Sequence, residues 1–211
     1  MTVLTMLTTI LVALITAVFG PVAVEWAKNK FTPKPQSKSL VGEAIEMNKL
    51  VDDQLEVIMD ELKCDRIWVA QFHNGGHFYP TGKSIQKFSF FYEKISPNTH
   101  SIQHTFQNIP VSLFPKSLSK LYKDGELAIP SYSNANKDNV DVYDLEVFHN
   151  EYDTKSFYAI AISDLNDHFI GVMGIAYVNK EHKLTKDEWI FIRQKIGVVG
   201  TLLTEYLNIK K

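Results

Sequence analysis

The sequence predicts an α+β domain, an antiparallel sheet flanked by an N-terminal and a C-terminal helix, preceded by one transmembrane helix. Three observations predict it. The stretch Met1 to Val24 carries no ionisable side chain. Apolar residues recur at helical spacing at both ends of the remaining chain. Between those ends, β-branched and aromatic runs are separated by turn residues.

The N-terminal stretch MTVLTMLTTILVALITAVFGPVAV is long enough for a hydrocarbon core that needs ~20 apolar residues. Gly20-Pro21 kinks its last turns, and Trp26 stands where an interfacial aromatic anchor belongs. A cleaved signal peptide is the competing reading, but a basic start, a shorter apolar core and a small-x-small cleavage site are not clear here. Residues 1–27 are therefore assigned to a single membrane span. Lys28, Lys30, Lys34 and Lys38 follow it, and the positive-inside tendency then places the C-terminal domain in the cytoplasm. Residues 28–38, with Pro33 and Pro35 among lysines, form a basic extended linker.

The domain of residues 39–211 opens with an amphipathic helix from Leu40 to Leu62. Leu40, Ala44, Met47, Val51, Leu55, Ile58 and Leu62 recur at spacings of three and four, with Glu43, Asp52, Asp53 and Glu56 between them. RIWVAQFHN, Arg66 to Asn74, reads as a central strand stopped by Gly75-Gly76. Ser84 to Ile95 alternates Ile85, Lys87, Ser89 and Phe91 against Gln86, Phe88, Phe90 and Tyr92, and reads as its hairpin partner. Residues 96–153 are the least regular part, with a helix before Gly125 and a short strand, ELAI, ended by Pro130. SFYAIAIS and HFIGVMGIAYV, joined by DLND, form a second hairpin. Thr185 and Glu188 make a capping box for a last helix whose Trp189, Ile192, Ile196, Val199, Leu203 and Tyr206 share a face.

Composition narrows the function. A net charge of −2 gives no reason to expect a nucleic-acid partner. The single cysteine, Cys64, excludes an intramolecular disulfide and any site built from several thiolates. No phosphate-cradling glycine loop or nucleophile elbow appears. His73 and His77 sit four apart, but across two glycines, and no third ligand is near in sequence, so no metal is expected. His100 and His104 read as surface residues. Glu93, Asp164 and Asp167 read as solvated or turn-capping carboxylates, not as a catalytic pair.

What remains is an aromatic set with a few polar groups at a glycine turn. Phe72, His73, Asn74, Phe78, Tyr79, Phe90, Tyr92, Phe114 and Tyr158 are the expected ligand-binding residues, with Phe88 and Phe106 close by. Such aromatics are packing first and a ligand cage second. The chain is thus read as a non-catalytic binding module without a resident cofactor. Its expected partners are the lipid bilayer, a small molecule or regulatory protein, and a second copy of itself. Val51, Leu55, Val199 and Leu203 are the expected contacts of a homodimer through the first and last helices.

Three segments carry a family likeness: DRIWVAQFHNG at the first strand, IPVSLFPKSLSKLYKDGELAIPS in the middle, and FIGVMGIAYVNKEHKLTKDEW from last strand to last helix. Together with the element order, they make residues 39 to 207 resemble a GAF domain, a relative of PAS. The resemblance implies a sensory module with a pocket under the irregular middle. Cys64 is a poor candidate for bilin attachment, and the cyclic-nucleotide signature of some GAF domains is not recognisable. The order of one span followed by a compact domain is also similar to the single-span holins of some tailed bacteriophages, which permeabilise the inner membrane. In this chain the lysines follow the span instead of preceding it.

Overall fold

The computed structural model describes residues 40–78, 80–135 and 141–208. The expected transmembrane helix, the basic linker and Tyr79 lie outside them. Among the described residues, no helix is long and apolar enough to cross a membrane.

The described chain folds as α1 (Leu40–Leu62), β1 (Arg66–His77), β2 (Ser84–Ile95), β3 (Ile109–Pro110), α2 (Pro115–Asp124), β4 (Glu126–Ile129), α3 (Glu146–Asn150), β5 (Ser156–Ser163), β6 (Phe169–Tyr177) and α4 (Lys186–Asn208). The six strands form one sheet in the order β3-β2-β1-β6-β5-β4, each neighbour antiparallel. The expected α+β architecture is found. Gly125 ends α2 in the left-handed conformation (φ 77°), where a glycine carries no Cβ penalty. The capping box forms, with Thr185 Oγ1 accepting from the Glu188 N–H at 3.2 Å and Glu188 Oε2 accepting from the Thr185 N–H at 2.7 Å. Helix α3 and the two-residue strand β3 are too short to leave a periodic signal, and sequence reading missed both.

The sheet has two apolar faces and each is covered. On one, α1 and α4 bury Val51, Leu55, Ile58, Ile192, Val199 and Leu203 against Ile67, Val69, Ile160, Ile162, Met173 and Ile175. On the other, residues 99–135 and 141–153 bury Ile102, Phe106, Leu121, Leu145 and Phe148 against Trp68, Ala70, Phe88, Phe90, Phe157 and Ala159. Each fully buried aliphatic or aromatic side chain contributes about 1.5–3 kcal/mol. Two layers of this size explain why β1, β5 and β6 read as nearly continuous apolar runs.

The expected dimer contacts are corrected by this arrangement. Val51, Leu55, Val199 and Leu203 are all buried within the domain, because the same stripe that would form a seam is needed to cover the sheet. A helix-mediated pairing of two chains would draw instead on exposed Leu50, Val57, Ile190 and Val198.

A buried carboxylate ties the strand ends together. Asp65 accepts from the Val178 N–H (2.7 Å), the Asn179 N–H (3.0 Å), Asn179 Nδ2 (2.6 Å) and Ser96 Oγ (3.3 Å). Burial by itself would raise its pKa, but these donors favour the carboxylate and hold the net value below the ordinary one. A carboxyl depressed on folding contributes stability that is fully present above its unfolded pKa of about 3.9 and is lost as pH falls through the folded value. Asp65→Asn is therefore expected to cost about 1–3 kcal/mol at pH 7, with the gap to the parent chain closing below about pH 4. Urea unfolding of both chains from pH 7 down to pH 3 measures this; a gap independent of pH would refute it.

Candidate functional site

The expected ligand residues divide between the two faces of the sheet. A strand places alternate side chains on opposite sides, so consecutive members of the set diverge except where a cleft opens at the end of the sheet. In β1, Trp68, Ala70 and Phe72 lie under the irregular middle, while Gln71 and His73 face the side of α1.

In β2 a bulge changes the parity. Val69 pairs with Tyr92 and Ala70 with Phe90, so Phe91 is the extra residue. Without it, Phe88, Phe90 and Tyr92 would share a face, as the alternation predicts. With it, Phe88 and Phe90 join the aromatic layer under the middle and Tyr92 crosses to the α1 side, where its hydroxyl donates to Asn48 Oδ1 at 2.5 Å. Phe91 is left half exposed.

Tyr158 is also on the helical face. It packs edge-on against Trp189 at 5.7 Å, donates to the His182 carbonyl at 2.5 Å and accepts from the Leu184 N–H at 3.2 Å. Burial pushes its pKa up to about 12. It is a structural brace for the β6–α4 connection, not a pocket residue. Asn74 is exposed and accepts from Gln86 Nε2 at 3.0 Å. Phe78 is exposed at the β1–β2 tip, where its backbone closes the turn with Gly82 and Lys83.

Among the described residues, two cavities gather several members of the expected set. Under the middle, Phe72, Phe90 and Phe114 line an apolar cavity together with Trp68, Phe88, Leu118, Phe148 and Val172, of about 40 Å³. Stacked rings fill the rest: Trp68 on Phe90 at 4.0 Å, Phe90 on Phe106 at 4.8 Å, and Phe148 on Phe157 at 5.0 Å. Small-molecule sites are usually about 300–1,000 Å³, so this space is packing in the conformation described. The pocket expected there is closed by its own aromatic lining.

The second is an open cleft of about 500 Å³ between α1 and the tip end of the sheet. Phe72, Phe169 and Ile170 form its apolar part, Phe91 and Tyr92 stand on one side, and Asn48, Gln71 and His73 supply the polar groups. Phe72 and Phe169 meet edge to face at 4.8 Å. His73 Nε2 lies 2.9 Å from Ser89 Oγ, which also accepts from the Asn108 N–H, so the imidazole is held in place at the cleft wall. Three of the expected residues, Phe72, His73 and Tyr92, therefore do meet. Sequence reading missed Asn48, Gln71, Phe169 and Ile170, because their part in the cleft depends on how α1 and β6 lie against β1.

Neither cavity contains an arranged nucleophile. Cys64 lies just after α1, is buried, and burial pushes its thiol up to about 12, far from the thiolate that covalent chemistry needs. Among the described residues, no group of three His, Cys, Asp or Glu side chains is placed to hold a metal ion.

No family model matches the chain, and no curated protein matches it. Solved structures do match its fold. The phycocyanobilin-bound GAF domain from a cyanobacterial phytochrome is 15% identical with a TM-score of 0.59, covering 79% of this chain and 88% of that one. The blue-light absorbing form of the Thermosynechococcus elongatus PixJ GAF domain is 14% identical with a TM-score of 0.58, covering 78% and 88%. The GAF domain/HD domain protein from Geobacter sulfurreducens is 12% identical with a TM-score of 0.54, covering 78% and 97%. The chain has the fold of a GAF domain.

Proposed function

We propose that this chain is a membrane-anchored GAF-like sensory module that binds a small ligand in the cleft between α1 and the sheet, without turning it over. The cleft itself carries the reading: its volume suits a small molecule, and it joins aromatic surfaces to the amides of Asn48 and Gln71 and the imidazole of His73. Rings offer flat apolar area, and amides and imidazole offer donors and acceptors at fixed points. That combination favours a planar ligand with polar edges. The aromatic core on the opposite face is the scaffold that fixes β1 and β2.

Ligand binding is tested by a thermal-shift screen of the full chain in detergent against a panel of nucleotides, flavins and linear tetrapyrroles. A binder is expected to lose at least about tenfold in affinity in His73→Ala and in Gln71→Ala, a loss of about 1.4 kcal/mol, while Asn74→Ala leaves it unchanged. Binders insensitive to both cleft substitutions place the site elsewhere.

The anchor rests on the charge-free stretch Met1 to Val24, and the cytoplasmic placement on the four lysines after it. Alkaline carbonate is expected to leave the full-length chain in the membrane pellet, and release of a shorter soluble form would refute the span. An alkaline phosphatase fusion after Lys211 is expected to be expressed but inactive. Between the two readings of the architecture, the GAF-type fold of the domain supports a sensor over a holin-like lytic protein.

A further inference from the structure

The most exposed of the large apolar side chains gather toward one end of the domain, while less exposed ones such as Val57, Ile95 and Ile190 lie elsewhere. Among the described residues, the large apolar side chains more than half exposed are Val41, Ile45, Phe78, Leu113, Tyr122 and Leu165. Strand register places them. β1 runs antiparallel to β6 with Arg66 beside Ala176 and Gln71 beside Gly171, so the β1–β2 tip with Phe78 and the β5–β6 turn with Leu165 project from the same end of the sheet. Tyr122 reaches that end too, its ring 6.2 Å from that of Phe169 at the start of β6. Leu113 directly follows β3, whose partners in β2, Lys87 and Phe88, pair in turn with His73 and Phe72 in the half of β1 nearest the tip.

Helix α1 runs the opposite way to β1. It finishes at Leu62, just before β1 begins, while Asn48 in its first half reaches Tyr92 and the cleft that His73 and Phe169 line. Ile45 and Val41, about one and two turns further back, therefore lie toward the tip end. The other end of the sheet, around Asp65, Ser96 and Asn179, is polar and hydrogen-bonded.

Scattered exposed apolar residues need no explanation, but a set gathered at one end of a domain does. We propose that this end is a lipid-contacting surface, with Phe78, Tyr122 and Leu165 seated in the membrane interface. The proposal rests on the anchored reading above. In that reading the chain enters α1 from a span that ends near residue 27, and residues 28–38 reach at most about 35–40 Å even when fully extended. The end that carries the exposed apolar residues is thus the end tethered to the bilayer. A tether of that length keeps lipid at high local concentration, so a weak apolar contact suffices.

The chemistry points to apolar insertion more than to charge attraction. Asp164 and Asp167 flank Leu165, and the Asp164 carboxylate is spent on the N–H groups of Asn166 and His168 and on the His168 ring, which fixes the turn. Lys83, bonded through its backbone to Phe78, and Lys123, next to Tyr122, are exposed and of opposite sign to those acids. Contact with the bilayer is accordingly expected to depend little on the fraction of anionic lipid.

The test uses the full chain reconstituted in phosphatidylcholine vesicles, with a bimane fluorophore on Leu165→Cys, on Phe78→Cys, or on Lys180→Cys at the polar end. Cys64 is buried and stays unlabelled. Brominated phosphatidylcholine is expected to quench the probes at 165 and 78 at least about twofold more than the probe at 180, as an interfacial depth of about 5–10 Å requires. A carbonate wash of the same vesicles reports the anchor separately. Full retention with equal, weak quenching at all three positions overturns the lipid-contacting surface and leaves the anchor standing. Loss of the chain in the wash overturns both. Phe78→Ser combined with Leu165→Ser, both at exposed positions, is expected to abolish the quenching of a probe on Tyr122→Cys; quenching that persists overturns the role assigned to the two tips.

Discussion

Glu93→Ala is expected to cost about 3–5 kcal/mol, the range for removing one partner of a buried charge pair. The Glu93 side chain is 3% exposed and Arg66 is 2% exposed, with Arg66 Nε and Glu93 Oε1 3.7 Å apart. Arg66 also donates from Nη2 to the His100 carbonyl at 2.8 Å, but among the described residues no group accepts from its Nε or Nη1. The largest part of its compensation is the field of Glu93, with smaller parts from Tyr152, whose ring centre lies 5.9 Å from the guanidinium carbon, and from Asp65. The carboxylate further accepts from the N–H groups of Ile102 and Gln103 and from the Ser101 hydroxyl. Alanine would strand a buried cation and leave those donors unsatisfied together, releasing residues 100–103 from β2. Urea unfolding followed by intrinsic fluorescence measures the loss. Replacing both partners, Arg66→Met with Glu93→Leu, is expected to cost far less than the sum of the single changes, because no uncompensated charge remains. Additive losses would show that the pair is not coupled.

The second large effect is expected at Gly174 in β6. A Cβ there would stand 2.1 Å from Trp68 Cζ2 and 2.2 Å from Cε2. The indole cannot yield easily, since it is stacked on Phe90 at 4.0 Å and lies 6.2 Å from Phe148. Elsewhere in a strand, alanine would be the better residue. Here Gly174→Ala is expected to cost about 2–3 kcal/mol through overpacking. Trp68→Phe removes the part of the ring that meets the new methyl, so in that background the same substitution should become close to neutral. A double-mutant cycle on urea midpoints decides it, and an unchanged cost in the Trp68→Phe chain would place the clash elsewhere.

Both effects show how the two layers share one sheet. Arg66, Trp68 and Glu93 anchor the irregular middle, while Asp65 and Tyr158 brace the strand and helix ends on the other side. The cleft with His73 opens between α1 and the tip half of the sheet. A ligand there would touch β1, β2, β6 and α1 at once, so its binding can alter how α1 rests on the sheet. If the anchored reading holds, α1 is also the element that joins the domain to the membrane.

The sequence by itself determined the longer elements. Period 3.6 fixed Leu40–Leu62, period 2 fixed β2, β-branched and aromatic runs fixed β1, β5 and β6, although β1 runs past the expected stop at Gly75-Gly76 to His77, and the Thr185 and Glu188 box fixed the start of α4, because these signals are local and each residue's neighbours suffice to express them. The α+β class followed from their order. Tertiary structure alone decided which side chains meet. One residue, Phe91, bulges from β2 and moves Tyr92 to the opposite face, and no local rule marks where such a shift falls. The stripe bearing Val51, Leu55, Val199 and Leu203 was legible as apolar, but whether it faces the sheet or a second chain depends on how much of the sheet needs covering. The aromatic set was legible as a set; its division into a packed layer and an open cleft was not, because alternation along paired strands converts neighbours in sequence into residues on opposite faces.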